Sequence, residues 1–147
     1  MKAETLWQEY KKINPDIGEE IDAWAFGAES DKLADLVLKG EKTATASAYD
    51  LYQIDKEPIP ETGTFDVILD SKDNAICIVE ITKVTIVPFN QVSEEHAFKE
   101  GEGDKTLSYW RKVHKDLFNQ WFEEENLTFT EDKLVVLEEF CKVYPLT

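Results

Sequence analysis

Cysteine, glycine, proline and histidine are all scarce in this chain, and positive charge is outnumbered. Its 147 residues include two cysteines, six glycines, five prolines and two histidines. Two cysteines are too few for the disulfide framework of a small secreted scaffold. Cys77 and Cys141 stand far apart in apolar contexts, so both are expected as buried thiols in a reducing cytosol. The low glycine and proline content excludes collagen-like and low-complexity classes. His96 and His114, with no spaced cysteine or carboxylate set, make a tetrahedral zinc site improbable, and no metal or other cofactor is expected. Lysine and arginine total 16 against 31 acidic residues, for a net charge of −15. Such a surface repels a polyanion, which argues against sequence-blind binding of duplex DNA. No stretch reaches about 18 consecutive apolar residues, so no membrane helix is expected. The opening Met1-Lys2-Ala3-Glu4-Thr5-Leu6 becomes charged again at Glu9 and lacks the apolar run of a signal peptide. Together these point to a cytoplasmic protein.

Apolar content is ample. Hydrophobic residues make up 42% and aromatics 12%. A chain of this length buries roughly 70% of its unfolded surface without a staple. With no repeat or linker in evidence, one domain spanning residues 1–147 is expected.

Periodicity predicts a first helix over Ala3–Ile13, ended by Asn14-Pro15, and a second after Ser30, ended by Gly40. Between them, Ala23–Phe26 reads as a short strand or a helix end. Thr64–Leu69, Ala75–Val87 and Leu134–Tyr144 read as strands. Ser93–Glu100 reads as a short helix and Thr106–Glu124 as a strong amphipathic one. Helices and strands do not alternate regularly, so an α+β fold is expected, with a small curled sheet carrying helices on its outside.

Several polar residues sit where chemistry is conceivable. Glu80 shares the even face of its strand with Ile76, Ile78, Thr82, Val84 and Ile86. If that face is interior, the carboxylate is partly desolvated and needs a partner; otherwise it is an ordinary edge glutamate. Lys42 follows the helix-ending glycine and enters the small-residue run Ala44-Thr45-Ala46-Ser47. It reads either as a solvated lysine at a helix end or as the cation that pairs Glu80 and, desolvated, serves as a base. Thr45 is an ordinary strand threonine or a nucleophile activated by that base. Ser47 lies in the same run, as a substrate contact or the rival hydroxyl. An odd separation places Lys42 and Thr45 on opposite faces of a perfect strand. They converge only if Lys42 remains in the turn or a bulge intervenes. In Gly101–Arg111, Asp104 or Thr106 suits a helix cap. Asp104, Tyr109 and Arg111 are candidate substrate contacts, with Arg111 suited to a phosphate or a base. His114 lies in an apolar helical stripe and reads as a packed histidine.

Taken in order, Gly40-x-Lys42-Thr43-x-Thr45, then Val79-Glu80-Ile81-Thr82, then Glu100-Gly101-Glu102-Gly103-Asp104 with Tyr109-Trp110-Arg111-x-x-His114 resemble an ASCH (activating-signal-cointegrator homology) domain. The resemblance runs from about Trp24 to Tyr144. It implies a PUA-like small β-barrel flanked by helices, related to RNA-binding domains, with an N-terminal helical extension here. Some small members hydrolyse N4-acetylcytidine to cytidine, and another is described as a ribonuclease. Carried onto this chain, the resemblance implies Lys42, Thr45 and Glu80 as catalytic residues. The N-terminal helix and the Glu100–Arg111 segment depart from those small hydrolases.

The reading that follows is a hydrolase acting on an acylated cytidine-type nucleoside by amide cleavage. Its partner is then RNA or a modified nucleoside or nucleotide, and neither duplex DNA nor a membrane. A non-catalytic RNA-binding module and a ribonuclease are the alternatives.

Overall fold

The computed structural model describes residues 1–19 and 21–146. In chain order its elements are α1 (Ala3–Ile13), β1 (Asp22–Ala25), α2 (Ser30–Leu38), β2 (Ala44–Ala48), α3 (Tyr49–Ile54), β3 (Phe65–Leu69) and β4 (Ala75–Pro88). A single 3-10 turn at Phe89–Gln91 then leads into α4 (Glu94–Glu100), α5 (Leu107–Glu124) and β5 (Leu134–Tyr144). The five strands form one sheet in the order β1-β3-β4-β5-β2. β1 runs parallel to β3, and the other pairs are antiparallel. The architecture is the expected α+β fold, a sheet curled into a half-barrel whose edge strands are β1 and β2.

The two faces of the sheet pack differently. On the inner face, Ile68, Cys77, Val79, Ile81 and Phe140 bury against Ala34 and Val37 of α2. α2 thus plugs part of the half-barrel. On the outer face, Val67 and Ile78 meet Leu6, Trp7 and Tyr10 of α1. A second outer core joins Val135 and Leu137 to Trp110, Phe118 and Phe122 of α5. The valine, leucine, isoleucine and phenylalanine side chains among them each contribute about 1.5–3 kcal/mol on burial, so the helices hold the curl of the sheet.

β4 carries irregularities in its pairing with β5, between Ile78 and Val79 and between Ile81 and Lys83. A bulge adds one residue and reverses the side-chain parity. Val79 and Ile81 face inward before the second bulge, whereas Val84, opposite Glu138, faces inward after it. Glu80 lies opposite Phe65 and Cys141, and Phe65 packs with the α1 core. Glu80 therefore lies on the outer face. That parity rules out the interior placement which the catalytic reading of Glu80 needs.

Of the two cysteines, Cys77 is buried and Cys141 is exposed, and both are free thiols. The expectation that both are buried holds for Cys77 alone. Burial pushes the Cys77 thiol up to about 12, so it is inert at neutral pH. No helix is long and apolar enough to cross a membrane among the described residues.

Candidate functional site

The turn after α2 places the central cation. Gly40 has φ +79°, the left-handed region open to glycine. Its N–H donates to Val37 O at 3.0 Å, and the Glu41 N–H donates to Leu36 O at 2.9 Å, the paired bonds of a Schellman stop. The Lys42 N–H also reaches Leu36 O, at 3.1 Å. β2 begins only at Ala44, so Lys42 belongs to the turn. This removes the parity conflict with Thr45, and both residues line one cavity.

Two carboxylates approach Lys42 from the far end of α4. Gly101 ends that helix at φ +70°. Its backbone lies so close to the Glu41–Lys42 segment that a Cβ there would stand 2.3 Å from Glu41 O. The glycine lets Glu100 and Glu102 flank the lysine. Lys42 Nζ donates to Glu102 Oε2 at 2.8 Å, to Glu100 Oε1 at 3.3 Å and to the Glu100 backbone carbonyl at 3.4 Å. The Phe26 ring lies 5.3 Å from the ammonium. Lys42 and Glu100 are each only 1% exposed.

Glu100 is the hub of a larger network. Its Oε2 accepts from Trp110 Nε1 at 2.5 Å and lies 2.6 Å from His96 Nε2. Its Oε1 lies 3.3 Å from His114 Nε2. His114 Nδ1 lies 2.9 Å from Trp110 O, and its ring stacks on the indole at 4.2 Å. Both ring nitrogens of His114 face acceptors, which favours the doubly protonated ring. Burial opposes charge on Glu100, but Lys42 beside it and the two histidines hold it well below the usual carboxylate range. Burial likewise opposes charge on His114, and its bond to Glu100 more than offsets this and raises its pKa. Glu100, Glu102 and His114 each present one possible ligand atom within a 4.8 Å cluster. The ammonium of Lys42, bonded to both carboxylates, already stands as the cation there.

The cavity beside this network measures about 1340 Å³ and is lined by both edge strands of the half-barrel. Trp24, Phe26, Tyr52 and Trp121 supply aromatic surface, and Thr45, Ser47, Asp66 and Glu138 line it from the inner sheet face. Ser47 Oγ is 2.6 Å from the Tyr52 hydroxyl, while the Thr45 hydroxyl has no hydrogen-bond partner among the described residues. Asp66 accepts from Trp24 Nε1 at 3.0 Å. Burial pushes Asp66 up to about 6 against that bond. Burial, with Asp66 and Asp22 nearby, pushes Glu138 up to about 7.

The sequence-derived candidates divide clearly. Lys42, Thr45 and Ser47 line the cavity, whereas Glu80, Asp104, Tyr109 and Arg111 do not. The carboxylates at Lys42 are Glu100 and Glu102, in place of the Glu80 that the resemblance implies. Asp104 is spent locally, accepting from the Thr106 N–H at 3.0 Å. Tyr109 packs over Gly103, where a Cβ would meet its ring at 2.4 Å. Arg111 donates to Asn90 O at 3.1 Å. Asp104 and Tyr109 shape the loop before α5, Arg111 ties α5 to the 3-10 turn, and all three stand away from the cavity.

Sequence reasoning missed Glu100, Glu138 and Asp66 as site residues. A signal for Glu100 was present, since His96 and Glu100 are four apart on one short helix. Glu138, set in Val135-Val136-Leu137-Glu138, carries the same acid-in-an-apolar-strand signature that drew attention to Glu80.

Comparison with known proteins agrees with this architecture. The ASCH domain family model matches residues 22–144. The ASCH domain from Lactobacillus crispatus JV V101 is 34% identical, with a TM-score of 0.86 over 94% of this chain and 91% of that one. A protein from Enterococcus faecalis V583 is 36% identical, with a TM-score of 0.87 over 95% of this chain and 86% of that one. ASCH from Zymomonas mobilis, at 11% identity and a TM-score of 0.50 over 82% of this chain and 64% of that one, shares the fold alone. No curated protein matches. With a family model covering most of its length and two solved relatives above 30% identity, the chain belongs to the ASCH domain family.

Proposed function

We propose that this protein is a cytoplasmic hydrolase that cleaves the amide of an N-acylated pyrimidine nucleoside of the acylated-cytidine type. One observation carries the reading. A buried ammonium, Lys42, is fixed between two carboxylates and lines the same cavity as the Thr45 hydroxyl.

Thr45 Oγ1 attacks the acyl carbonyl carbon, and the carbonyl π electrons move to oxygen. The Thr45 proton passes to Lys42 Nζ as one Nζ proton moves to Glu102, the partner at 2.8 Å, so Lys42 stays an ammonium and the proton gained by Glu102 balances the negative charge on the adduct oxygen. Collapse of the tetrahedral adduct breaks the C–N bond, and Glu102 returns the proton through Lys42 to the departing nitrogen. Water then cleaves the Thr45 ester along the same route. Glu100 holds Lys42 in place.

Charge favours a small substrate over a polynucleotide. Among the described residues lining the cavity, the cationic side chains are Lys42 and His114, and carboxylates engage both. Neither is free to grip phosphate, so RNA cleavage and RNA binding are the weaker readings.

The test is a panel of N-acylated pyrimidine nucleosides, with release of the free amine followed by chromatography. Wild type is expected to turn over at least one of them, and Lys42→Met to lose that turnover by about 10²-fold or more. Chelation of divalent metals is expected to leave the rate unchanged. Absence of turnover across the panel, or full activity in Lys42→Met, overturns the proposal.

A further inference from the structure

Glu138 has no role in the chemistry above, although it stands on the cavity wall. It is 5% exposed and lines the cavity from the inner face of β5. Among the described residues its carboxyl makes no hydrogen bond and meets no cation. A buried carboxyl without a partner is unfavourable by several kcal/mol if charged. The groups facing it deepen the problem. Asp66 comes from β3 and Asp22 from β1, both acidic, and Tyr52 comes from α3 with its hydroxyl turned to Ser47. Such a side chain is suited to a ligand that supplies the missing partner.

Its position says which part of the ligand it meets. Glu138 and Thr45 are direct cross-strand partners on the same face. Such pairs have Cβ atoms about 5 Å apart. If Thr45 attacks an acyl carbonyl, the amide nitrogen one bond away falls beside Glu138.

We propose that Glu138, backed by Asp66, reads the base. Its carboxyl makes a two-point hydrogen bond to an amidine edge, a ring nitrogen beside an exocyclic N–H, as found on 4-amino- and 4-acylamino-pyrimidines. A protonated carboxyl presents one donor and one acceptor side by side, and that edge presents one acceptor and one donor at matching spacing. Asp66, held by the Trp24 indole, keeps a second acid nearby and disfavours the ionised form of Glu138. This inference rests on the hydrolase reading for the orientation of the ligand.

The test measures binding and turnover separately. Affinity for cytidine and for 3-deazacytidine, which lacks the ring acceptor, is determined by calorimetry for wild type, Glu138→Gln and Glu138→Leu. The titrations run below and above the Glu138 midpoint of about 7. N4-acetylcytidine is assayed for hydrolysis in the same preparations. Wild type is expected to prefer cytidine by roughly 10- to 100-fold, as for a lost buried hydrogen bond, and to lose affinity as pH rises and the carboxyl ionises. Glu138→Gln, whose amide also offers a donor and an acceptor, is expected to keep the preference without the pH dependence. Glu138→Leu is expected to lose the preference.

A Glu138→Leu protein that still prefers cytidine overturns the inference, as does a Glu138→Gln protein with the wild-type pH profile. Hydrolysis without base preference in wild type also overturns it and leaves the hydrolase reading standing. Base preference without hydrolysis supports the edge reader and sinks the hydrolase reading. Neither binding nor hydrolysis overturns both.

Discussion

Two kinds of acid line the same cavity at opposite ends of the scale. Glu100 receives a lysine, two histidines and an indole N–H, and its carboxylate stays ionised far into acid. Glu138 receives nothing among the described residues and is pushed up by burial and by Asp66 and Asp22. The two also shape stability in opposite directions. The lowered pKa of Glu100 contributes stability present above its unfolded value, near 4.5, and lost as pH falls through the folded value. The raised pKa of Glu138 contributes stability that is complete below 4.5 and is lost as pH rises through about 7. Wild type therefore carries a penalty at alkaline pH, on the order of 3 kcal/mol from the size of the shift. Replacing Glu138 with glutamine removes the ionisation and keeps the shape. Denaturant unfolding at about pH 8 is expected to find Glu138→Gln more stable than wild type, with the gain shrinking toward about pH 5. An equal difference at both pH values would show that Glu138 is not strained by its charge.

At the scale of elements, the site depends on two chain reversals meeting back to back. Gly40 ends α2 and releases Lys42, while Gly101 ends α4 and carries Glu100 and Glu102 against it. Gly101→Ala places a Cβ 2.3 Å from Glu41 O at a φ of +70°. The left-handed conformation alone costs about 1–2 kcal/mol for a non-glycine residue, and the contact with backbone adds to it. Thermal unfolding is expected to fall by at least several degrees, about 2–4 °C per kcal/mol for a chain of this size. Gly63→Ala is the control, since its φ is also positive, at +90°, but its added Cβ meets nothing within 4 Å. Equal losses in the two variants would mean that the approach of Gly101 to Lys42 contributes nothing. Much of this scaffold is legible in the amino-acid order. α1 and β5 begin and end where periodicity places them, because each buries one continuous apolar stripe or run. α3 escapes such a reading, since its six residues bury no side chain fully and so carry no stripe. The face of Glu80 escapes for a different reason. β4 is apolar on both faces, and its bulges reverse parity partway along, so alternation cannot tell inside from outside. Lys42 and Thr45 were legible because a glycine stop and a run of small residues mark them locally. Glu100 carried a local signal only in its spacing from His96, and its pairing with Lys42 was hidden because the two lie 58 residues apart.

For the molecule as a whole, charge and shape agree on a small ligand. A net charge of −15 repels long polyanions at a distance, and screening by salt weakens that repulsion without reversing it. The cavity of about 1340 Å³ is ample for a nucleoside, since ligand sites commonly measure about 300–1,000 Å³. Aromatic walls at Trp24, Phe26, Tyr52 and Trp121 suit the flat face of a base. The half-barrel gives each component a fixed place. α2 plugs the inner face, α5 brings His114 and Trp121 to one wall, and the edge strands frame the rest. The proposed chemistry centres on one oxygen atom, the Thr45 hydroxyl, which lines the same cavity as Lys42. The direct measurement is acetate release from N4-acetylcytidine by wild type and by Thr45→Val, a swap that keeps the volume and β preference of the side chain, with folding checked by circular dichroism. Wild type is expected to release acetate and to carry an acetyl ester on the Thr45 peptide when quenched during turnover. Folded Thr45→Val is expected to do neither. Acetate release by Thr45→Val at the wild-type rate would contradict the account.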